Sequence, residues 1–581
     1  MGGHNFIRSV LFHGPRTQEG IYLVKRKLDA VLKATIDECL KKGLLSKAPL
    51  PDYVIEIPNN PDHGHFATNL PLTLASSQKR APKEIASVLV ENLKDEGGLL
   101  EKTEIAGPGF INFRINPEEW YGVLGNILSL RADYGRSTYG NNEKVLVEFV
   151  SANPTGPLHL GHGRGAALGD TLCRILSFCG YDVTREFYIN DAGQQIRMLG
   201  ESVFCRFKQM HDPAYPFPEN GYHGDYILDL ARIISEEADL KNMSQEKAID
   251  ICTQKGKEMM LGEIKQDLAR FKVAFDVWYS ESALYDSGLL KSALDTIKEK
   301  GQVYDREGAQ WIKTSDFGDD KDRVVRKKDG RFTYFASDIS YHLEKQRRGF
   351  ETAINIWGAD HHGYVPRMKA ALLAHGFPED WLSVILIQLV KLWKGGQEIK
   401  MSKRAGDFVT LKELVDEVGV DAVRFVFLTK SHDSTLDFDI DLVKKQDSDN
   451  PVYYVQYGHA RICSIFRKAA SEGISLPDRP EGVLERLILD EEMALIRRMA
   501  EFPPLLEEIS RTLEPHRLTY YLTDLAASFH RYFNLGTKIP ENRIVTNDRE
   551  TSHARLFLAD AVRAVIANGL GLLGISAPER M

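Results

Sequence analysis

SANPTGPLHLGHGRG, residues 151–165, lies between the apolar run VLVEFV at 145–150 and the stretch 163–180, whose Ala166, Ala167, Leu168, Leu172, Ile175 and Leu176 favour a helix. A run interrupted only by Glu148 reads as a buried parallel strand, and strand, glycine-containing loop and helix are how α/β nucleotide-binding domains begin. Gly161, Gly163 and Ala166 satisfy the dinucleotide pattern G-x-G-x-x-A, with Asp182 or Glu186 about 20 residues onward as the ribose partner. That pattern wants its turn directly after the strand. Here Asn153, Pro154, Gly156 and Pro157 intervene, and proline does not fit a central ladder. The loop offers instead two imidazoles, His159 and His162, three positions apart at a helix start, where both can reach one phosphate. Gly161 removes a side chain where a nucleotide would approach the backbone. Zinc ligation by the two histidines lacks a third histidine or a suitably spaced carboxylate.

Outward from this loop, DVTREFYI at 182–189 supplies another strand, and strand-like pieces return at 353–357 and 383–391. Between them, 195–300 is mostly helical and charged, and reads as a connecting insertion within the sheet domain. Upstream, a helix over about 22–42 and short strands at 53–57 and 110–115 suggest an α+β module. Downstream of about 445, YYVQYGHARICSIFRKAA, DEEMALIRRMAEFPPLLEEIS and HRLTYYLTDLAASFHRYFNL carry helical amphipathicity with almost no strand signal. The expected organisation is a multidomain α/β protein: 1–135, 136–445 and 446–581.

A chain of 581 residues is consistent with such a division, since length alone suggests about three or four domains. The formal charge of −8 gives no global sign of a nucleic-acid binder; phosphate binding depends on where cations cluster, and the sum does not exclude it. Cys39, Cys173, Cys179, Cys205, Cys252 and Cys463 form no C-x-x-C pair and read as reduced thiols. No run of about 18 apolar residues and no leader pattern at MGGHNFIRSVLFHGP argue for a soluble cytoplasmic protein.

IKMSKRAGDFVTL, 399–411, contains Lys400-Met401-Ser402-Lys403. Taken alone, a basic tetrapeptide is a solvated loop. Together with His159-Leu160-Gly161-His162 it resembles the two signatures of class I aminoacyl-tRNA synthetases, and the extended ANPTGPLHLGH form resembles arginyl-tRNA synthetases in particular. The resemblance covers nearly the whole chain. It implies a Rossmann-like parallel-sheet catalytic domain at 136–445, preceded by an additional tRNA-binding domain and followed by a helical anticodon-binding domain. It implies an ATP-dependent arginine-tRNA ligase that forms arginyl-adenylate and charges tRNA(Arg), working as a monomer in the cytoplasm. In this chemistry Lys400 and Lys403 stabilise charge developing on the departing pyrophosphate, and Ser402 can bond phosphate. ATP arrives with Mg2+, held by phosphates and water, so no protein-held metal is expected.

The resemblance also implies site residues. Gly161, Gly163, Gly358, Asp360, His361 and Met401 fall in ATP-binding stretches. Glu148, Ser151 and Asn153 fall near the amino-acid substrate, and Tyr334 and Asp338 match a tyrosine-and-aspartate arrangement that makes Asp338 the guanidinium partner. A planar cation with five donors demands such fixed acceptors, and four-residue spacing brings Tyr334 and Asp338 to one side if the stretch is helical. In the last domain Tyr453, Tyr457, His459, Arg461, Arg467 and Lys468 offer cations and stacking surfaces for a single-stranded RNA loop, although the aromatics can equally serve the helical core.

Overall fold

A computed structural model describes residues 21–58, 60–191, 193–286, 288–399, 409–477, 479–480 and 482–581. Helix α1 (Ile21–Lys41) turns a stripe of Val24, Leu28, Leu32, Ile36 and Cys39 into the interior, at the three- and four-residue spacing of one helix face. Strands β1 (Ile55–Glu56) and β2 (Phe66–Thr68), helices α2 (Leu70–Gln78) and α3 (Pro82–Glu91), then β3 (Leu100–Ala106) and β4 (Phe110–Ile115) complete an α+β module with antiparallel order β1-β2-β4-β3. Helix α4 (Pro117–Leu130) opens on Pro117 after Asn116, whose side chain accepts from the Glu118 amide.

The central sheet begins with β5 (Lys144–Glu148), α5 (Leu160–Phe178) and β6 (Asp182–Ile189). Helices α6 (Gln194–Gln209), α7 (Asp225–Glu237) and α8 (Gln245–Arg270) then pack on one another around Leu199, Val203, Ile227, Ala231, Ile234 and Cys252. The chain re-enters the sheet at β7 (Val277–Ser280), so the 195–300 stretch is more than an insertion: it carries an edge strand. Four half-buried residues, VWYS, are too few to announce themselves amid helical sequence. After α9 (Glu281–Asp286) and α10 (Leu289–Glu299), strands β8 (Val303–Arg306), β9 (Ala309–Ile312) and β10 (Arg323–Arg326) form a small antiparallel sheet that sequence reading left out. Helix α11 (Tyr334–Arg347), β11 (Thr352–Gly358), α12 (Val365–His375) and β12 (Leu382–Ile387) finish the main sheet.

Its order is β12-β11-β5-β6-β7, all parallel. Chain order reverses between β5 and β11, the switch point outside whose carboxyl edge open α/β sheets bind ligands. The 383–391 piece divides into β12 and β13 (Val390–Lys394), which belong to different sheets; β13 pairs with β14 (Gln397–Ile399). Then follow α13 (Leu411–Val418), α14 (Val420–Phe427), β15 (Leu436–Asp439), parallel to β13, and α15 (Ile440–Val443).

The remainder is helical throughout its described residues: α16 (Pro451–Ser471), α17 (Asp490–Ala500), α18 (Phe502–Thr512), α19 (His516–Lys538) and α20 (Arg549–Leu572). Inside it, Glu492 is fully buried and accepts from Arg555 Nε at 2.8 Å and Tyr532 Oη at 3.0 Å. Arg424 on α14 joins this bundle to the sheet domain. Its buried guanidinium donates to Asp170 of α5 at 2.6 Å, to the Leu573 carbonyl at 2.8 Å and to the Phe271 carbonyl at 3.1 Å.

Candidate active site

Strand β5 ends in a turn that ordinary residues avoid. Val150 (φ 67°) and Ser151 (φ 39°) both occupy positive φ, and a β-branched residue there is an outlier held only by its surroundings. The holding contacts are specific: Ser151 Oγ donates to Glu148 Oε1 at 3.0 Å and accepts from the Tyr188 amide at 3.1 Å. Farther on, Asn153 Nδ2 donates to Gln195 Oε1 at 2.6 Å, which joins the loop to the start of α6.

His159 is the N-cap of α5. Its Nδ1 accepts from the Gly161 amide at 3.1 Å and the His162 amide at 3.4 Å, while His162 Nδ1 accepts from the His159 amide at 3.3 Å. The two rings stack with centroids 3.6 Å apart. Imidazoles thus fill a reciprocal capping box, with each Nδ1 spent on the backbone at the positive end of a 19-residue helix. Gly161 lies beneath the His159 ring, where a Cβ would come within 3.1 Å of Cε1. Gly163 is buried, and a Cβ there would meet Leu411 Cδ1 at 2.6 Å and Phe427 Cε2 at 2.9 Å; close packing of helices accounts for this glycine.

Lys400, Met401, Ser402 and Lys403 lie outside the described residues. The residues that resume after them are placed: Thr410 forms an antiparallel bridge with His159, and the Leu411 amide donates to the Leu158 carbonyl at 2.8 Å. The segment that follows the second signature is therefore tied to the first, far from it in sequence. Arg164, one turn into α5, is buried and donates to the carbonyls of Gln388, Ser431 and Ser434 at 2.8–2.9 Å, fixing the break between β12 and β13 beside the same helix.

A group of carboxylates and tyrosines spans β6, α9 and α11. Asp338 is half-buried, accepts from Tyr364 Oη, and is pushed up to about 7, chiefly by burial and further by the nearby Glu148. Glu281, at the first position of α9, is 4% exposed and is likewise pushed up to about 7 by burial, then by Asp338 and Asp191. Its Oε2 and the hydroxyl of Tyr188 are buried without a hydrogen-bond partner among the described residues. A carboxylate oxygen and a hydroxyl left unpaired this deep, beside two carboxylates held above their usual range, are a set of groups that a positively charged ligand would complete. Asp191 is already engaged, by Ser280 Oγ, the Ser282 amide and Lys257. Tyr334 shares the side of α11 with Asp338 but is 68% exposed, at the rim. Sequence reading missed Glu281 and Tyr188. The only signal for Glu281 was its position directly after β7, a strand that had gone unseen.

At the carboxyl end of β11, Gly358, Asp360 and His361 open a 3₁₀ turn (Ala359–Tyr364). His361 Nε2 stands 3.8 Å from Asp360 Oδ2, both side chains solvent-exposed at the rim of the switch-point crevice. Glu186, one of the two residues offered as ribose partner of a dinucleotide site, is fully buried and bonded to Tyr341 and Arg348, whereas Asp182, the other, is exposed at the opposite end of β6. Among the described residues no group of three or more His, Cys, Asp and Glu side chains converges to hold a metal ion.

The helical domain carries a second cavity, of about 880 Å³, lined by Tyr457, Arg461, Arg467, Lys468, Arg543 and Arg580 among others. Arg461 stacks over Tyr457 at 4.5 Å and Phe533 at 4.6 Å. His459 does not face it as expected: it is buried, and its Nδ1 bonds the Pro578 carbonyl at 2.9 Å. Here is the local cationic surface that a net charge of −8 concealed.

Residues 123–440 match the family described as tRNA synthetases class I (R), catalytic domain; 29–115 match the arginyl tRNA synthetase N terminal domain and 455–581 the DALR anticodon binding domain. The chain is 50% identical over 562 residues to the arginine–tRNA ligase of Desulfosudis oleivorans, covering 96% of this chain and 100% of that one. It is 47% identical over 561 residues to the arginine–tRNA ligase of Syntrophotalea carbinolica, with the same coverage. Its fold matches that of Thermus thermophilus arginyl-tRNA synthetase with a TM-score of 0.73 at 24% identity, over 96% of this chain and 100% of that one.

Proposed function

The chain belongs to the arginyl-tRNA synthetases, and from that premise we propose how its own residues carry out the ligation. It is an ATP-dependent arginine–tRNA ligase. A carboxylate oxygen of L-arginine attacks the α-phosphorus of ATP, the bond to pyrophosphate breaks, and arginyl-adenylate forms. A hydroxyl of the terminal ribose of tRNA(Arg) then attacks the arginyl carbonyl, and AMP leaves.

Neither step needs a covalent nucleophile from the protein, so positioning and charge stabilisation carry the catalysis. His159 and His162, with the first amides of α5 behind them, receive phosphate. Gly161, Gly358, Asp360, His361 and Met401 border the nucleotide, and Lys400, Ser402 and Lys403 meet the charge that builds on pyrophosphate. The Thr410–His159 bridge supports that placement, because it holds the segment after the second signature beside the first. ATP enters as its magnesium complex, the ion belonging to the substrate.

The observation that carries the arginine reading is the pair Asp338 and Glu281, raised together around the unpartnered Glu281 Oε2 and Tyr188 hydroxyl. Two carboxylates on separate helices form a fork that a planar guanidinium can fill with several bonds, whereas an ammonium offers a point charge. Ser151, Asn153 and Glu148 lie toward the amino-acid end, with Tyr334 at the rim.

The cavity beside Arg461 takes the anticodon loop, and the first domain takes another part of the tRNA. A cytoplasmic monomer completes the proposal, by resemblance to the family; none of the described helices is long and apolar enough to cross a membrane. Aminoacylation assays with ATP, each amino acid in turn, and total tRNA present or omitted test the reading. Charging is expected with arginine. Stable charging with lysine in its place would overturn the pocket assignment.

A further inference from the structure

Three neighbouring strands place three polar residues in one row. Glu148 of β5 stands in register with Asn355 of β11 on one side and with Glu186 of β6 on the other. All three are buried, Asn355 and Glu186 completely. Apolar side chains normally fill such a row beneath a covering helix, so a polar row demands polar partners. Helix α11 supplies them. Lys345, with no exposed side-chain surface, donates to Glu148 Oε2 at 2.6 Å and to Asn355 Oδ1 at 2.9 Å, and lies 4.4 Å from the centre of the Tyr341 ring.

The network then runs back to the pocket. Because Asn355 Oδ1 accepts from Lys345, its amide nitrogen donates to His342 Nε2 at 2.9 Å; His342 Nδ1 therefore carries the proton and donates to the carbonyl of Asp338 at 2.7 Å. Burial, with Lys345 adding to it, lowers His342 to about 3 and keeps that imidazole neutral. Lys345 is thus connected both to Glu148, which orients the Ser151 turn, and to the backbone of the residue that faces the substrate cation.

Glu148 has one oxygen on Lys345 and the other on Ser151, so its charge is already matched by a buried ammonium and only part of its acceptor capacity remains. We infer that Lys345 is a specificity-determining positioning residue: an internal counter-cation that occupies Glu148, so that Asp338 and Glu281 are the carboxylates that take the arginine side chain. The inference rests on the arginine-pocket reading above. The groups facing Asp338 are Glu148 from β5, Tyr188 from β6, Glu281 and Tyr285 from α9, Tyr364 from the turn before α12, and Lys345 from its own helix. Among these, Lys345 is the cation that favours the ionised form of Asp338, and Glu148 opposes it. Removal of Lys345 alone leaves Glu148 uncompensated, a competitor for the substrate cation and a brake on Asp338 ionisation.

The test is the arginine KM, ATP KM and kcat of tRNA charging for Lys345→Met, Lys345→Gln, Lys345→Arg, and Lys345→Met combined with Glu148→Gln, each across the neutral pH range. Lys345→Met is expected to raise arginine KM about tenfold or more, with ATP KM unchanged, and to move the pH at which arginine binding improves upward by about one unit. Lys345→Gln keeps hydrogen bonds for both partners, removes the charge, and carries the same expectation should the methionine variant fail to fold. Lys345→Arg keeps the charge in a bulkier group and is expected to leave the pH midpoint within about half a unit of the parent value. Removing Glu148's charge as well should bring the pH midpoint back toward the parent value. An unchanged arginine KM and midpoint in the Met and Gln variants, a loss confined to kcat, or no return in the double variant would each overturn the inference. Failure of the parent reading looks different: the unaltered protein would not charge tRNA with arginine at all.

Discussion

Thr410 bridges His159, so the segment that follows the lysine signature is paired, backbone to backbone, with the cap of the helix that follows the glycine-containing loop. The junction leaves little room. Leu411, the next residue, fills the space a side chain on Gly163 would need.

Gly163→Ala therefore overpacks this junction. A loss of about 1–3 kcal/mol is expected, with a fall in kcat from disturbance of the cap. Thermal unfolding alongside charging kinetics reads both. An alanine variant as stable and as active as the parent would show that the helices part freely.

Arginine binding should strengthen as pH rises through about 7. Asp338 and Glu281 are pushed up to about 7, so below that value each holds a proton and offers a guanidinium no charge. Arginine KM is expected to fall across this window in the parent enzyme. In Glu281→Gln it should be raised by on the order of tenfold to a hundredfold, equivalent to about 1.4–2.7 kcal/mol at neutral pH. A KM that is flat with pH would remove these two carboxylates from the binding step.

Without substrate, the same variant should be the more stable protein. An acid whose folded value lies above its unfolded value opposes folding once pH passes the unfolded value near 4, and the penalty grows until pH passes the folded one near 7. Glu281→Gln is thus expected to gain about 1–3 kcal/mol at pH 8 and little at pH 4, measured by denaturant unfolding of the substrate-free enzyme. Equal stability at both values would contradict the burial argument.

Arg467 and Lys468 are exposed on the rim of the cationic cavity. Changing both to alanine should raise the KM for tRNA while leaving arginine KM unaltered. It should also flatten the log–log dependence of tRNA binding on salt by about 1.4, the slope expected for two phosphate contacts to single-stranded RNA. An unchanged salt slope would place the RNA elsewhere.

The parts of this fold with a strong local period were readable in the sequence. The strand read at 145–150, the helix read over 163–180 and the strand at 182–189 stand as β5, α5 and β6, with ends that differ by no more than three residues. The histidine pair was readable because its spacing is local. What stayed hidden depends on register or on brevity: the row Asn355, Glu148 and Glu186 exists only once three distant strands align. Glu281 became visible only when VWYS proved to be an edge strand. His459 looked like a surface cation because nothing in its helix shows that the Pro578 carbonyl lies against it.

Helix α11 and its C-cap Arg348 meet the sheet through Tyr341, Lys345 and the Arg348 guanidinium, and through His342 on Asn355, each bonded to a particular atom in the row below. A helix resting on aliphatic side chains is held by a force without direction and can creep by fractions of an ångström. This one is a rack with meshed teeth. Intermediate positions break several bonds at once, and a shift by a whole turn brings the wrong partners together. Asp338, near the start of that helix, is accordingly held in mesh with the sheet, and slack in the surrounding loops has no aliphatic slip plane through which to move it.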